Sequence, residues 1–434
     1  MRTYDSYKDS GLEWIGEIPE HWEVRRLKYV ANSVQTGKTP STSIEAYFNN
    51  EDYDWFTPGD FGSDLILKNS NRKISQLAVD QEGLKLFEPN TVLLVAIGAT
   101  LGKIGIVLET CFSNQQLNAI TFNQNKIIPF YGCYFFYCTS QIIVKNSVAS
   151  TLAILNQEKT KELIITVPPL SEQTAIANYL DTKTTEIDQT IADKEALVNL
   201  YEEEKKALIN EAVTKGLNPN VTLKPSGIDW LGDVPEHWEV KRLKYVAEIV
   251  LGKMLTPEDK GDYSLKPYLR AQNIQWLNVD TTDVKEMWFS NSELESYQIK
   301  ENDILVSEGG EVGRACIWKN ELDECYIQNS VNKVSIKAGE PYFYLYQFYI
   351  LGAKYIFNSI VNKVSIAHLT KEKLKEIPFV VAPLEEQTTI VQYIETESAK
   401  INDKITLAKQ EIALLKEYRQ ALIFEAVTGK ICVL

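Results

Sequence analysis

No apolar run in this 434-residue chain approaches the roughly 18 residues that a membrane-spanning helix needs. The opening residues, MRTYDSYKDSGLEW, have no basic segment leading into an apolar stretch, so they lack the form of a secretory signal and a cytoplasmic protein is expected. Cysteine is sparse. Cys111, Cys133, Cys138, Cys316, Cys325 and Cys432 are scattered with no Cys-x-x-Cys pair, and no histidines stand at ligand spacing, so neither a disulfide framework nor a structural metal is expected. Positive charge is also short: 45 Lys and Arg face 59 Asp and Glu, a net −14 that argues against a nonspecific nucleic-acid coat. The deficit is uneven. Residues 171–217 hold ten acids and five bases and residues 385–434 hold eight and six, so half of the acidic excess sits on two segments. The rest is closer to balance and can carry local basic patches. With 44% hydrophobic and 24% charged residues, the chain has the make-up of a protein with two or three domains, each with its own core.

What the chain does have is an internal repeat. Residues 12–31 read LEWIGEIPEHWEVRRLKYVA and residues 228–247 read IDWLGDVPEHWEVKRLKYVA, with fourteen of twenty positions identical and the other six conservative. PPLSEQTAIANYL from Pro168 matches APLEEQTTIVQYI from Ala382, and Glu211-Ala-Val-Thr214 matches Glu425-Ala-Val-Thr428. The offset is 216 at the start of the repeat and 214 at its end, so the unit is half the chain: a duplication rather than a solenoid. Each unit opens with the Trp-rich segment, passes through a middle of mixed character and closes with a helical segment. TGKTPSTSIEAYFNNEDYDWFTPGDF in the first middle has only a loose counterpart in LGKMLTPEDKGDYSLKPYLRAQNIQW in the second. Alike frames and divergent middles suit one shared job for the frames and two different jobs for the middles.

From Ser171 to about Lys215 there is no proline or glycine, while Pro168 and Pro169 precede the segment and Gly216 follows it, which are helix start and stop signals. A seven-residue series runs Leu180, Ile187, Tyr201, Leu208, broken only by Lys194, and recurs as Ile394, Ile401, Ala408, Leu415, Leu422; Ile191 and Val198 form a neighbouring stripe matched by Ile405 and Ile412. Such a period marks helices that supercoil with a partner. Two equal, charged helices with matched seams suit each other, and antiparallel pairing spares the second middle from carrying the chain back along the rod. About 42 helical residues at about 1.5 Å each make a spacer of roughly 63 Å. The expected fold is therefore α/β, with two domains in tandem separated by two long helices in an antiparallel coiled coil of pseudo-two-fold symmetry. Its segments are residues 1–170, 171–217, 218–384 and 385–434.

Motifs of catalytic appearance fail on inspection. Gly98-Ala-Thr-Leu-Gly102-Lys103 has three residues between its glycines where a P-loop has four, and Ile104 stands where the magnesium-binding Ser or Thr belongs. Gly309-Gly-Glu-Val-Gly313-Arg314 holds the corresponding place, each time after an apolar strand; such a turn either brings backbone close to a phosphate or groove edge or is simply a tight hairpin. Asp233, Glu239 and Lys241 imitate nuclease spacing, yet Glu17, Glu23 and Arg25 replace them in the first repeat, amid Trp14, Pro19 and Trp22, which look like packing. His21 and His237 match in the repeat without other ligand types nearby and read as core or hinge residues. No Asn-Pro-Pro-aromatic or Asp-Pro-Pro-aromatic tetrapeptide is present, and no Gly-x-Gly follows a strand, so a methyltransferase is not expected.

Taken over essentially its whole length, the chain resembles the specificity subunits of type I restriction-modification enzymes. The resemblance rests on the duplicated order of domain then helix, Pro-Leu-x-Glu-Gln at Pro169 to Gln173 and Pro383 to Gln387, GKTPS at Gly37, PYLRAQNI at Pro267, and the two Gly-x-x-x-Gly-basic turns. It departs in having TPGDF from Thr57 where the second half has RAQNI from Arg270. The resemblance implies a non-catalytic subunit whose middles are target recognition domains, each reading one half of a split double-stranded DNA sequence, with the helices setting the gap. It implies partners too: two methyltransferase subunits that bind S-adenosylmethionine, and restriction subunits that use ATP and Mg, with no cofactor or metal on this chain. Arg pairs bidentately with guanine and Asn or Gln with adenine. Candidate DNA contacts are Lys103, Gln115, Gln116, Asn118, Lys145 and Asn146 in the first half and Arg270, Gln272, Asn273, Arg314, Gln328, Asn329 and Lys363 in the second, each weighed against a solvated loop position. The alternative is a noncatalytic coiled-coil scaffold joining protein partners without reading DNA.

Overall fold

The computed structural model describes residues 2–49, 52–62, 64–147, 154–360 and 368–434; within 141–147 only residues 142 and 144 have described side chains. The chain forms two compact units, Met1–Lys194 with Gln410–Leu434, and Glu195–Lys409. Each contains one α/β domain and parts of both long helices. Among the described residues no helix is long and apolar enough to cross a membrane.

The first unit is built on a five-stranded sheet in the order Ala31–Thr36, Leu117–Phe122, Val92–Val95, Ile104–Val107, Ile66–Leu67, of which only the last pair is parallel. Val92 to Val95 are all buried, because elements pack on both faces, and the strand accordingly reads as a continuous apolar run. Beside it lies a three-stranded sheet with Tyr53–Phe56 at its centre, parallel to Phe112–Ser113 and antiparallel to Lys73–Ile74. Helix Pro129–Ser147 lays Phe136 against Phe122 of the sheet with the rings stacked. The second unit repeats this plan with different residues. Ala247–Leu251, Val331–Ile336, Ile304–Ser307 and Ala315–Ile317 form the larger sheet, and Ser264–Leu269, parallel to Tyr326–Ile327 and antiparallel to Lys285–Phe289, forms the smaller. Helix Pro341–Ala353 joins the unit's main core.

The duplicated frame peptides bond to one another in each unit. Glu23–Arg26 pairs with Ile164–Val167, the strand leading into the first long helix, and Glu239–Arg242 pairs in the same way with Pro378–Val381. Glu172, at the helix start, accepts from Trp22 Nε1 at 2.9 Å and lies 2.6 Å from His21 Nε2; Glu386 does the same for Trp238 at 3.0 Å and His237 at 2.8 Å. Gln173 and Gln387 each take a backbone N–H, from Ile128 and from Glu340, and donate to the carbonyls of Pro168 and Ala382 respectively. Arg26 and Lys28 both hold Glu162, as Arg242 and Lys244 hold Glu376. His21 and His237 are therefore clamps at the domain-to-helix joint, with Trp22 and Trp238 fully buried beside them. Within the residues of nuclease-like spacing, Glu239 pairs with Lys241 and Glu23 with Arg25, both pairs exposed.

The long helices run Leu170–Lys215 and Leu384–Val427, 46 and 44 residues. At about 1.5 Å per residue these are roughly 69 and 66 Å long. Within the first unit Asp188 meets Arg419 at 2.8 Å and Lys194 meets Glu411. Within the second, Glu202 meets Lys409 at 3.9 Å and Lys205 donates to Asn402 at 3.0 Å. Rising numbers on one helix meet falling numbers on the other, so the pairing in each unit is antiparallel. Leu180, Ile187, Ile394, Ile401, Ala408 and Leu422 are buried, as are Ile191, Val198 and Ile412, while Tyr201, Leu208 and Leu415 are half-buried. Lys194, the break in the apolar series, is accounted for by Glu411. Thr184 and Ser398, seven residues before Ile191 and Ile405, are buried as well, and Thr184 Oγ1 lies 3.3 Å from the Tyr134 hydroxyl.

Candidate nucleic-acid interface

At one end of the sheets, the same four chain segments meet in both units, held by matched backbone hydrogen bonds. Lys38 N donates to Ser113 O at 2.9 Å, Asn114 N to Phe56 O at 3.0 Å and Ala96 N to Gln116 O at 2.7 Å. Their counterparts are Lys253 N to Ile327 O at 3.0 Å, Gln328 N to Leu269 O at 3.1 Å and Glu308 N to Ser330 O at 2.9 Å. Gly37 and Gly252 permit the close approach: a Cβ would stand 2.2 Å from Ser113 O in one case and 2.3 Å from Gln328 O in the other, where no side chain fits. The divergent TPGDF and RAQNI form the same short 3-10 turn. Asp60 accepts from Thr57 N at 2.6 Å and Asn273 accepts from Arg270 N at 2.9 Å, so a carboxylate and an amide oxygen do one job.

The glycine-basic segments are the hairpins between Val92–Val95 and Ile104–Val107 and between Ile304–Ser307 and Ala315–Ile317. Their basic residues reach the 3-10 turn: Lys103 Nζ donates to Phe61 O at 2.8 Å, and Arg314 Nη2 to Ala271 O at 3.2 Å. Arg314 also donates to Gln275 Oε1 at 3.0 Å, and Arg270 holds Asp283 at 2.9 Å. Gln115 and Gln272 are exposed; Gln116, Arg270, Arg314, Gln328 and Asn329 are half-buried. Gln115 accepts from Thr39, Gln116 from Asn114 Nδ2 at 3.0 Å, Gln272 donates to Asp283 at 3.2 Å and Gln328 accepts from Ser330 Oγ at 2.9 Å. Lys103, Gln115 and Gln116 in the first unit, and Arg270, Gln272, Arg314, Gln328 and Asn329 in the second, thus lie on or against the segments that meet at the glycine approaches.

Two candidates are corrected. Asn118 is 1% exposed, its amide donating to Leu155 O at 2.7 Å and Thr160 Oγ1 at 2.8 Å while its oxygen accepts from Thr36 at 2.8 Å. Asn273, also 1% exposed, spends its amide on Asp280 O at 2.8 Å and Asp283 O at 3.2 Å. Neither presents a polar edge to a base. Lys363 and the side chains of Lys145 and Asn146 lie outside the described residues. Asn332 escaped the sequence reading: it is buried and donates to Leu369 O at 3.5 Å, the counterpart of Asn118 with Leu155, and its signal was its place 214 residues on in the repeat. Among the described residues no group of three or more His, Cys, Asp or Glu is placed to hold a metal ion.

Two tandem α/β domains, each joined by the same clamp to a long helix and each presenting the same segments with different side chains, define a duplicated recognition protein. The chain belongs to the family of the type I restriction modification DNA specificity domain, which it matches over residues 19–197 and 235–417. The putative type I restriction enzyme MjaX specificity subunit of Methanocaldococcus jannaschii is 26% identical over 442 residues, 96% of this chain and 95% of that protein. The MjaIX specificity subunit of the same organism is 24% identical, with 96% and 95% covered. The EcoKI specificity subunit of Escherichia coli is 28% identical over a shorter stretch, 39% of this chain and 36% of that one. Among solved structures, a chain of a type I R-M system aligns with TM-score 0.72 at 16% identity over 95% of this chain and 99% of its own. The HsdS subunit from Thermoanaerobacter tengcongensis aligns with TM-score 0.55 at 17% identity over 95% and 98%. These two likenesses carry the fold.

Proposed function

We propose that this chain is the sequence-reading subunit of a type I restriction-modification complex, each α/β domain reading one half of a split double-stranded DNA sequence. The observation that carries the reading is the matched junction around Gly37 and Gly252: corresponding backbone hydrogen bonds hold segments that carry or contact Lys103, Gln115 and Gln116 in one unit and Arg270, Gln272, Arg314, Gln328 and Asn329 in the other. Invariant backbone with exchanged side chains is what two reading heads for two half-sites require. Arg314 and Arg270 suit guanine, and Gln115 and Gln116 suit adenine, by their bidentate edges. The long helices are spacers that fix the gap and dock partners, which suits their acidic, solvent-facing surfaces.

The chain is non-catalytic in this reading. Two methyltransferase subunits bring S-adenosylmethionine, and restriction subunits bring the ATP- and Mg-dependent chemistry, in the cytoplasm. Partners also supply part of the basic surface that a chain of charge −14 lacks. The test is to produce the chain with a cognate methyltransferase subunit and map methylated bases genome-wide: modification at one split sequence is expected. Absence of any sequence preference, with the complex assembled, would favour the scaffold that joins proteins without reading DNA.

A further inference from the structure

The two clamps differ in one respect. In the first unit Tyr4 covers the clamp, with its ring centroid 5.8 Å from that of His21 and 5.7 Å from that of Trp22, and its hydroxyl donates to Glu172 Oε2 at 3.2 Å. The covering residue is held by the strand pair Tyr7–Asp9 with Glu17–Pro19 and by the bridge from Arg2 to Cys432. In the second unit Leu223–Pro225 pairs with Asp233–Pro235 in the same register, Leu223 opposite Pro235 as Tyr7 is opposite Pro19. Three residues back from Leu223 stands Asn220, exposed, in the place of Tyr4. The ring is missing and a cavity of about 530 Å³ takes its place, walled by Gly216, Leu217, Val221, Pro235, His237 and Glu386. The Glu386 side chain is 43% exposed where that of Glu172 is 10%. Its Oε2 accepts from Trp238 Nε1, and no second donor such as Tyr4 reaches it among the described residues.

We propose that this cavity is a docking site for a tyrosine side chain of a partner protein. The ring lies over His237 and the apolar wall and the hydroxyl donates to Glu386 Oε2, as Tyr4 does in the first unit. A phenol suits the site, because Leu217, Val221, Pro235 and Ile390 offer apolar surface to a ring while Glu386, beside the polar Lys215, Asn218 and Thr389, offers an anionic acceptor to its hydroxyl. The chain's own linker does not fill the space, since residues 218–221 fold on themselves, with Val221 N donating to Asn218 O at 3.2 Å and Asn220 N to Asn218 Oδ1 at 3.0 Å. The linker thus leaves the space open to an occupant from outside.

N-acetyl-tyrosine amide and N-acetyl-phenylalanine amide, titrated into the full chain and followed by ligand-observed NMR, test the site. Saturable binding of the tyrosine probe is expected, with the phenylalanine probe about tenfold weaker for want of the hydrogen bond to a charged acceptor. Asn220→Tyr, a change at an exposed position, is expected to abolish binding by filling the cavity from within, while Asn220→Ser leaves it intact. No saturable binding, equal binding of the two probes, or undiminished binding to Asn220→Tyr overturns the proposal. A concentration-dependent dimer that Asn220→Tyr abolishes would put a second copy of this chain there and overturn the assignment to a different protein.

Discussion

Substituting Glu172 by alanine tests whether the duplicated peptides were kept to lock each domain to its helix. Its carboxylate is 10% exposed and serves Trp22 Nε1 at 2.9 Å, Tyr4 OH at 3.2 Å and His21 Nε2 at 2.6 Å. In Glu172→Ala the indole N–H of the fully buried Trp22 loses its acceptor, and Tyr4 and His21 lose theirs. A buried donor left unpaired costs about 1–3 kcal/mol and a hydrogen bond to a charged group contributes about 1.5 kcal/mol or more, so a loss of about 3 kcal/mol is expected. Glu386 is 43% exposed and lacks the tyrosine, so water can replace part of what Glu386→Ala removes, and about 1 kcal/mol is expected there. Urea unfolding at neutral pH reads both values as shifts in midpoint at unchanged slope. Equal losses, or a larger loss for Glu386→Ala, would refute the reasoning from burial.

Four further outcomes are expected. Asn118→Ala lowers stability by about 2 kcal/mol, because the carbonyl of Leu155 and the hydroxyls of Thr36 and Thr160 lose partners, yet leaves the recognised DNA sequence unchanged; a changed sequence at unchanged stability would restore Asn118 as a base contact. Ile187→Asp buries an unpaired carboxylate in the seam at several kcal/mol, and melting followed by helical circular dichroism should show a clear drop in midpoint, whereas no drop would deny the helix pairing in the first unit. The hydrogen bond from Lys28, with the charges of Lys28 and Arg26, holds Glu162 below its ordinary value of 4.5 against the opposing effect of desolvation, and Lys244 and Arg242 do the same for Glu376. Folding therefore gains from these pairs above the ordinary carboxylate range and loses that gain as pH falls through the lowered values, so wild type and Glu162→Gln should differ slightly at neutral pH and converge on acidification; divergence on acidification would contradict the sign. Arg314→Gln should relax specificity in one half-site only, costing about 1–3 kcal/mol there, as read by methylation mapping.

The frames were legible because they are duplicated almost letter for letter, yet their purpose was not. PEHW and PLxEQ each stand out in the sequence, but that Glu172 meets Trp22 and Glu386 meets Trp238 is a contact across about 150 residues, which a single sequence does not display. The helices were legible from their ends and period. Thr184 and Ser398 stand seven residues before Ile191 and Ile405, but as small polar residues they did not read as part of that apolar stripe. Asn118 and Asn273 were misread because an amide that faces a base and an amide that faces a carbonyl are the same residue type. For Asn118 the clue is local: it stands in Leu117–Phe122 among residues that are nearly all buried, where an unpaired amide could not be left. The shared 3-10 turn of TPGDF and RAQNI was hidden because Asp60 and Asn273 cap it with different side chains.

The central claim is that the two domains read independently, and exchange of one middle tests it most directly. Residues 36–160 are replaced by the corresponding middle of a related subunit, the chimera is produced with the methyltransferase subunit, and methylated sites are mapped across the genome. The account predicts that one half of the split sequence changes while the other half and the gap are retained, because residues 252–374 and the long helices are untouched. Loss or change of both halves would contradict it.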